Sequence, residues 1–570
     1  MKRKPFLFGA GAAVLLLVAA AWMFASPSAA EAPRLERLLP AETVGFVQVN
    51  NLRAQALKIM ESDAWRELSK ENQAASSLFM MGANHTGALD ASYALALVGM
   101  DAAEGDRQPQ PQFVLVAEFG SWDSRRNFDN RVLRSLRESS KKGVTIAEQE
   151  YEDATIHIVT SDGREDVAFV RKDQTLYLSN SAGALKKVLD VRAKKAKSLE
   201  TSENFAPARA RASVHDGMFG YLDGAALTRL IESGPSSEGH AGVAAFRQLF
   251  HGTGASSVQS VAFTSAFDGG RVVERFVVNT SGKQGVLGTI ATNAPTSQAL
   301  LALVPEDALQ AFDASIAGAP QTFDELLTLF GQVAAQAGKK DPQELFERVS
   351  SKTGLDLRND LIGQLGAEIC VAQLPNGDDR SGVIILNVRD EQAFARTLEK
   401  FAEHNKRAVS VRDYKGVVVR LIAGEKGRGM EYAFVGGNLV ASGDAGIVER
   451  VIDTAQGGPS LAGNAAFREA VAGAGGNPQF VYFNTNADYV ARLGHVLKSE
   501  EHEFKTSGQS VSLKPSYAFG VSRPEGLFVE SRTPLGTFPR LLAAMTSKFG
   551  QESKKEESKK EEPKKETTSE

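Results

Sequence analysis

The strongest constraint on the fold of this chain is that its landmarks come in two ordered sets. Leu39-Pro40-Ala41-Glu42 runs into the strand-like stretch 44–49, and Val304-Pro305-Glu306-Asp307 runs into 309–316. Short apolar runs follow at 113–117 and 383–387. Each precedes an amphipathic helix in which Phe128, Val132 and Leu136 answer Phe394, Leu398 and Phe401. Spacings of three and four put those groups on one helical face. Tyr151 and Tyr414, Phe169 and Phe434, Asp190 and Asp453, and Phe205 and Phe467 then recur in the same order. The offset is 265 from Pro40 to Pro305, 266 from Phe128 to Phe394, 263 from Asp190 to Asp453 and 262 from Phe205 to Phe467. Chance apolar runs do not keep order and spacing over most of a chain. The last shared piece is a hairpin, 261–278 turning at Asp268-Gly269-Gly270 and 517–531 turning near Pro524-Glu525-Gly526, with residues suited to tight reversals.

In both copies short strands outnumber helices, and the helices are interspersed rather than strictly alternating. That pattern predicts an α+β fold: two homologous domains of mixed or mainly antiparallel sheet with helices packed on one side, after an N-terminal hydrophobic helix. The expected organisation is 1–30 as signal peptide or anchor, 31–295 as repeat 1, 296–549 as repeat 2 and 550–570 as a tail. Either half, taken alone, should then carry its own core.

The ends differ in kind. Lys2, Arg3 and Lys4 precede an apolar run from Phe6 to Ala25, followed by small residues ending Ser28-Ala29-Ala30. A basic start, an apolar stretch and a small-residue site read as a secretory signal. The run is also close to membrane-spanning length, so a retained anchor fits equally well. Basic residues ahead of it place the remainder outside the cytoplasm. Both readings make the protein exported, periplasmic or otherwise extracytoplasmic. At the other end, 552–570 alternates Lys and Glu with no apolar residue to bury, which gives a solvated tail.

Composition excludes some functions. Lys plus Arg is 65 against 69 for Asp plus Glu, a net charge of −4, so the chain lacks the basic excess of a nucleic-acid binder. A single cysteine, Cys370, rules out an intrachain disulfide and a Cys-based zinc site. There is no H-E-x-x-H, G-x-S-x-G or Walker-type loop. His495 and His502 sit among Glu500, Glu501 and Glu503 and read as surface histidines; His215-Asp216 reads as a turn. The glycine-rich 424–429 lies between two strand runs and opens no helix, so it reads as a hairpin turn rather than an anion cradle. Glu368 interrupts an apolar strand, where a capped or half-exposed position is favoured over a general acid. Cys370, two residues on and on the same face, reads as a small buried hydrophobe. No catalytic, metal or cofactor residue is assigned.

One asymmetry points to a partner. Residues 121–142 carry seven basic groups and three acidic ones; 186–198 carry six basic groups with only Asp190 acidic. The corresponding helices of the second copy are nearly balanced. If the first pair lie side by side, Arg131, Arg134, Lys194 and Lys195 form a contact for an anionic membrane surface or another envelope polyanion.

The start Leu39-Pro40-Ala41-Glu42-Thr43, the stretch Leu365-Gly366-Ala367-Glu368 and the segment Ser460–Phe467 together resemble a family of exported bacterial proteins of unknown function. The resemblance covers most of 39–531 and implies no activity and no catalytic residues. The resulting expectation is a non-enzymatic envelope protein that binds or scaffolds another component. The alternative is a carrier or chaperone cradling an apolar ligand on a sheet face, and an enzyme with a dispersed site comes third. An exposed patch or groove would mark the scaffold, an enclosed apolar pocket the carrier.

Overall fold

The computed structural model describes residues 34–536 apart from 71–90, 101–109, 127–129, 131–143, 162–163, 213–216, 234–240, 283, 337–341, 378, 425–428, 473–476, 488 and 490–512. The expected N-terminal hydrophobic helix and the Lys/Glu tail lie outside the described residues. Among those described, no helix is long and apolar enough to cross a membrane.

Among the described residues, alternating apolar positions produce ten strands in each half. The first ten are β1 (Gly45–Val49), β2 (Ala91–Met100), β3 (Pro111–Phe119), β4 (Val144–Tyr151), β5 (Ala154–Ser161), β6 (Arg164–Lys172), β7 (Thr175–Ser179), β8 (Met218–Asp223), β9 (Val258–Asp268) and β10 (Arg271–Thr280). The second ten are β11 (Gln310–Ser315), β12 (Leu365–Asn376), β13 (Asp379–Val388), β14 (Val409–Tyr414), β15 (Val417–Ala423), β16 (Gly429–Val435), β17 (Asn438–Ser442), β18 (Phe480–Asn484), β19 (Ser516–Arg523) and β20 (Gly526–Thr533).

All twenty form one sheet in which every pairing is antiparallel, ordered β4-β5-β6-β7-β3-β2-β1-β8-β9-β10-β20-β19-β18-β11-β12-β13-β17-β16-β15-β14. Counted outward from the β10–β20 seam, the pairings of the second ten strands repeat those of the first. Smaller details repeat too. Pro40 bridges Ser198 as Pro305 bridges Ser460. The Tyr151 hydroxyl donates to Asp190 at 2.8 Å, as that of Tyr414 donates to Asp453 at 3.1 Å. The expected pair of separate domain sheets, 31–295 and 296–549, is thus a single sheet. Each half leaves one hairpin edge open, and the two edges satisfy each other's backbone groups.

The hairpin β9–β10 turns on Gly269 and Gly270 at φ 57° and 80°. A two-residue turn of this hand needs positive φ at both positions, which glycine adopts without strain.

Each half has its own core on the first face of the sheet. In the first, Phe46, Phe219 and Tyr221 pack with Phe205 of the helix Phe205–Ala212 and Leu185 of the helix Ala182–Arg192. The second gathers Ala433, Val440, Val481 and Phe483 under Val448 and Phe467. Phe205 stands edge-on to Phe219 at 5.9 Å, and Phe467 edge-on to Phe483 at 5.4 Å. Fully burying one such ring stabilises by about 1.5–3 kcal/mol. Phe528 of β20 packs against both cores.

Helices do not keep to one side, contrary to the sequence expectation. Tyr432 and Ala433 are neighbours on β16, point to opposite faces and are both fully buried. Ala433 lies in the first-face core, whereas Tyr432 is covered by Phe394 of the helix Glu391–His404. A strand apolar at consecutive positions needs cover on both faces.

Candidate functional site

The helices Ala319–Gln336 and Pro342–Thr353 follow β11, where the first half has the helices Leu52–Glu61 and Asp63–Lys70 after β1. Phe323 and Phe346 lock the two later helices edge-on at 5.2 Å. The chain then leaves through Gly354, whose φ of 73° an L side chain rarely adopts, and a Cβ there would run into the His404 ring. Asp356 caps the next turn by accepting from the Arg358 and Asn359 amides at 3.0 and 3.1 Å. Arg358 in turn grips Asp324 bidentately, donating from Nε and Nη2 at 2.5 and 2.7 Å. That guanidinium holds the Asp324 carboxyl below the usual carboxylate range.

These pieces enclose an open groove of about 620 Å³. Phe323, Leu327, Phe346, Leu355 and Leu357 supply apolar wall, and Glu347, Asp356, Arg358 and His404 supply polar groups. The arrangement suits an amphipathic segment of another molecule, with apolar side chains inserted and charges at the margin. Elsewhere, on the second face of the sheet, Phe312, Val371 and Ile384 stand side by side on β11, β12 and β13 at 40%, 41% and 44% exposure.

The residues singled out from sequence are scattered. Lys195 is exposed and paired with Glu152 at 2.6 Å, which holds its ammonium above the usual lysine range. Lys194 is exposed beside it. Arg131, Arg134, His215, Asp216, His495, His502 and most of the 424–429 turn lie outside the described residues. Cys370 is fully buried in the second core, and desolvation pushes its thiol well above the usual range. Glu368 is only 5% exposed and caps the turn Ala299–Ala302, accepting from the Leu300 amide at 3.2 Å and from the Ser297 hydroxyl.

Sequence reasoning missed Asp313. It is fully buried on β11, directly opposite Cys370 on β12, and accepts from the Thr296 hydroxyl. Its other oxygen, Oδ2, has no hydrogen-bond donor. A signal existed: one carboxylate in the otherwise uncharged strand stretch 309–316. Among the described residues, no group of three His, Cys, Asp or Glu side chains is placed to hold a metal.

Comparison with known proteins adds little. Residues 277–518 match a family described as "Protein of unknown function (DUF3352)". No curated protein matches the chain. Among solved structures, crystal form I of TP0453 aligns at TM-score 0.23 and 10% identity, over 41% of this chain and 77% of that one. Form III gives 0.24 and 10%, over 43% and 82%, and form IV 0.23 and 9%, over 45% and 98%. At TM-scores this low the likeness says nothing of function.

Proposed function

We propose that this chain is a non-enzymatic, exported cell-envelope protein, built from a duplicated unit, that holds another envelope component in the groove between its helices. The observation that carries the reading is the groove itself: open, apolar-walled and edged with both signs of charge. A second cavity, beside Gln55, Ile59 and Leu535, has about 10 Å³ of space. The openness of the groove favours docking of a partner segment over enclosure of an apolar ligand.

The duplication is supported by the repeated order of strand pairings and by the paired Pro–Ser bridges. Export, by cleaved signal or retained anchor, rests on the basic and apolar start of the chain and the small residues that follow it. The second contact, for an anionic surface, rests on the lysine-rich end of the helix Ala182–Arg192, where Lys194 stands exposed beside the Glu152-paired Lys195.

A photo-crosslinking residue at Phe346, introduced into the full chain in its native envelope, tests the groove. One discrete adduct is expected, absent when the crosslinker sits at exposed Thr145 and lost on adding Leu327→Arg to a chain that still melts cooperatively. Adducts indifferent to Leu327→Arg, or none, would remove the groove as the binding site.

A further inference from the structure

The segment that joins the two halves is fastened by carboxyl groups. The Thr296 amide donates to the Pro478 carbonyl at 2.8 Å, and the Thr296 hydroxyl donates to Asp313. Ser297 and the Leu300 amide both donate to Glu368. The Gln298 amide closes on the Thr296 hydroxyl oxygen at 3.1 Å. Residues 296–300 are thus held to the second half through Asp313 and Glu368, which lie on β11 and β12 in register with Cys370 and Ser315 respectively.

The first half shows what this place needs structurally. Its β1 carries Gln48, and Asn50 follows it, where β11 carries Asp313 and Ser315; β2 carries Ser92 where β12 carries Glu368. Gln48 is as buried as Asp313, and it donates to Asn50. Neutral amides and a hydroxyl therefore fill the site without any ionisable group. The second half has two carboxyls instead, one with an oxygen that no protein group donates to. A buried carboxyl oxygen without a donor, beside a second carboxylate, is where a proton resides.

We propose that Asp313, set beside Glu368, forms a proton-gated latch: protonated, it holds residues 296–300 against the second half; ionised, it loosens that segment. Burial pushes the Asp313 carboxyl up to about 8, with the hydrogen bond from Thr296 opposing the rise and the neighbouring Glu368 adding to it. The Cys370 thiol, opposite Asp313 on β12, also faces it and is itself pushed up by burial. Because the folded value lies above the ordinary 3.8, this contribution is complete below pH 4 and is lost as pH rises towards 8. What remains above that is a pair of adjacent buried carboxylates, and their repulsion acts on the two groups that grip the joining segment.

Hydrogen exchange of the full chain between pH 5 and 9, normalised to the intrinsic rate at each pH, tests this. Protection of the peptide over 296–303 should fall at least tenfold between pH 6 and 9. The peptide over 35–39, at the corresponding place in the first half, should hold its protection. Asp313→Asn should abolish the fall, and Glu368→Gln should move its midpoint to lower pH. Constant protection in the wild type would overturn the latch even if neither variant folds, as would an Asp313→Asn chain that follows the wild type.

Discussion

Arg275 and Glu530 face each other across the β10–β20 seam, with Nε 2.8 Å from Oε2, and each lies four residues beyond the residue that closes its own two-residue turn. They hold the same place in the two hairpins, so this is the position at which a hairpin paired with its own kind would meet itself. Arg275 would face Arg275, and Glu530 would face Glu530; like charges directly opposed across strands are destabilising. The ion pair therefore favours first half with second half over either half with itself.

Arg275→Glu should lower stability by about 1–3 kcal/mol, since Glu530 is only 8% exposed and would meet a second carboxylate. Glu530→Arg should cost a similar amount, because Arg532 also leans on Glu530 at 3.2 Å. The double exchange should regain at least half of the summed loss in urea melts. Strictly additive losses would mean that the two side chains do not sense each other.

Phe205 and Phe467 anchor separate cores, so Phe205→Ala and Phe467→Ala should each cost about 3–5 kcal/mol. Their clusters have only the partly buried Phe528 in common, and the double variant should be additive within about 0.5 kcal/mol. Denaturant titration of the four chains decides this. A coupling above that margin would mean one core rather than two.

Glu36 is fully buried, taking Arg209 at 2.8 Å and Arg34 at 3.1 Å. Glu36→Ala leaves a partly buried guanidinium without its counter-charge and should cost about 3 kcal/mol. Glu36→Met combined with Arg209→Met should recover most of that loss. Thermal melts of the single and double variants provide the comparison.

His157 stacks on Phe169 with ring centres 4.7 Å apart, with Arg171 at 3.5 Å. Burial first, then that guanidinium, hold its imidazole below the usual 6.5. A depressed folded value means the stabilising contribution is present above pH 6.5 and is lost as pH falls through the folded value. The His157 contribution should therefore decline below pH 6.5, and His157→Phe should be more stable relative to the wild type at pH 5 than at pH 8. Melts between pH 5 and 8 read the slope, and two-dimensional NMR of the imidazole reads the titration.

Strands and turns were legible from sequence because their information is local. Alternation marks β1 and β12, and Asp268-Gly269-Gly270 marks the hairpin of β9 and β10. The helices Ala319–Gln336 and Pro342–Thr353, which form the groove, were not recovered, because the two copies differ most after β1 and β11. The single-face expectation failed for a different reason. Tyr432-Ala433 reads as an ordinary apolar strand pair, and only a third element, carrying Phe394, reveals that both faces are covered. The contact of Asp313 with Thr296 is set by where a connecting segment lands, which no local pattern encodes.

The seam carries a kinetic consequence. Most pairings within a half close short loops, whereas Arg275 and Glu530 are separated by 255 residues. Closing a longer loop costs more entropy, about 0.6 kcal/mol per doubling, and non-local strand pairing is slow. Both hairpins should therefore mature before they meet. In that interval β10 and β20 are bare edges, and each can be met by a neighbouring molecule's complementary hairpin as readily as by its own. At high concentration, refolding would then yield dimers that have exchanged halves, bonded by the same ladder that makes the monomer whole.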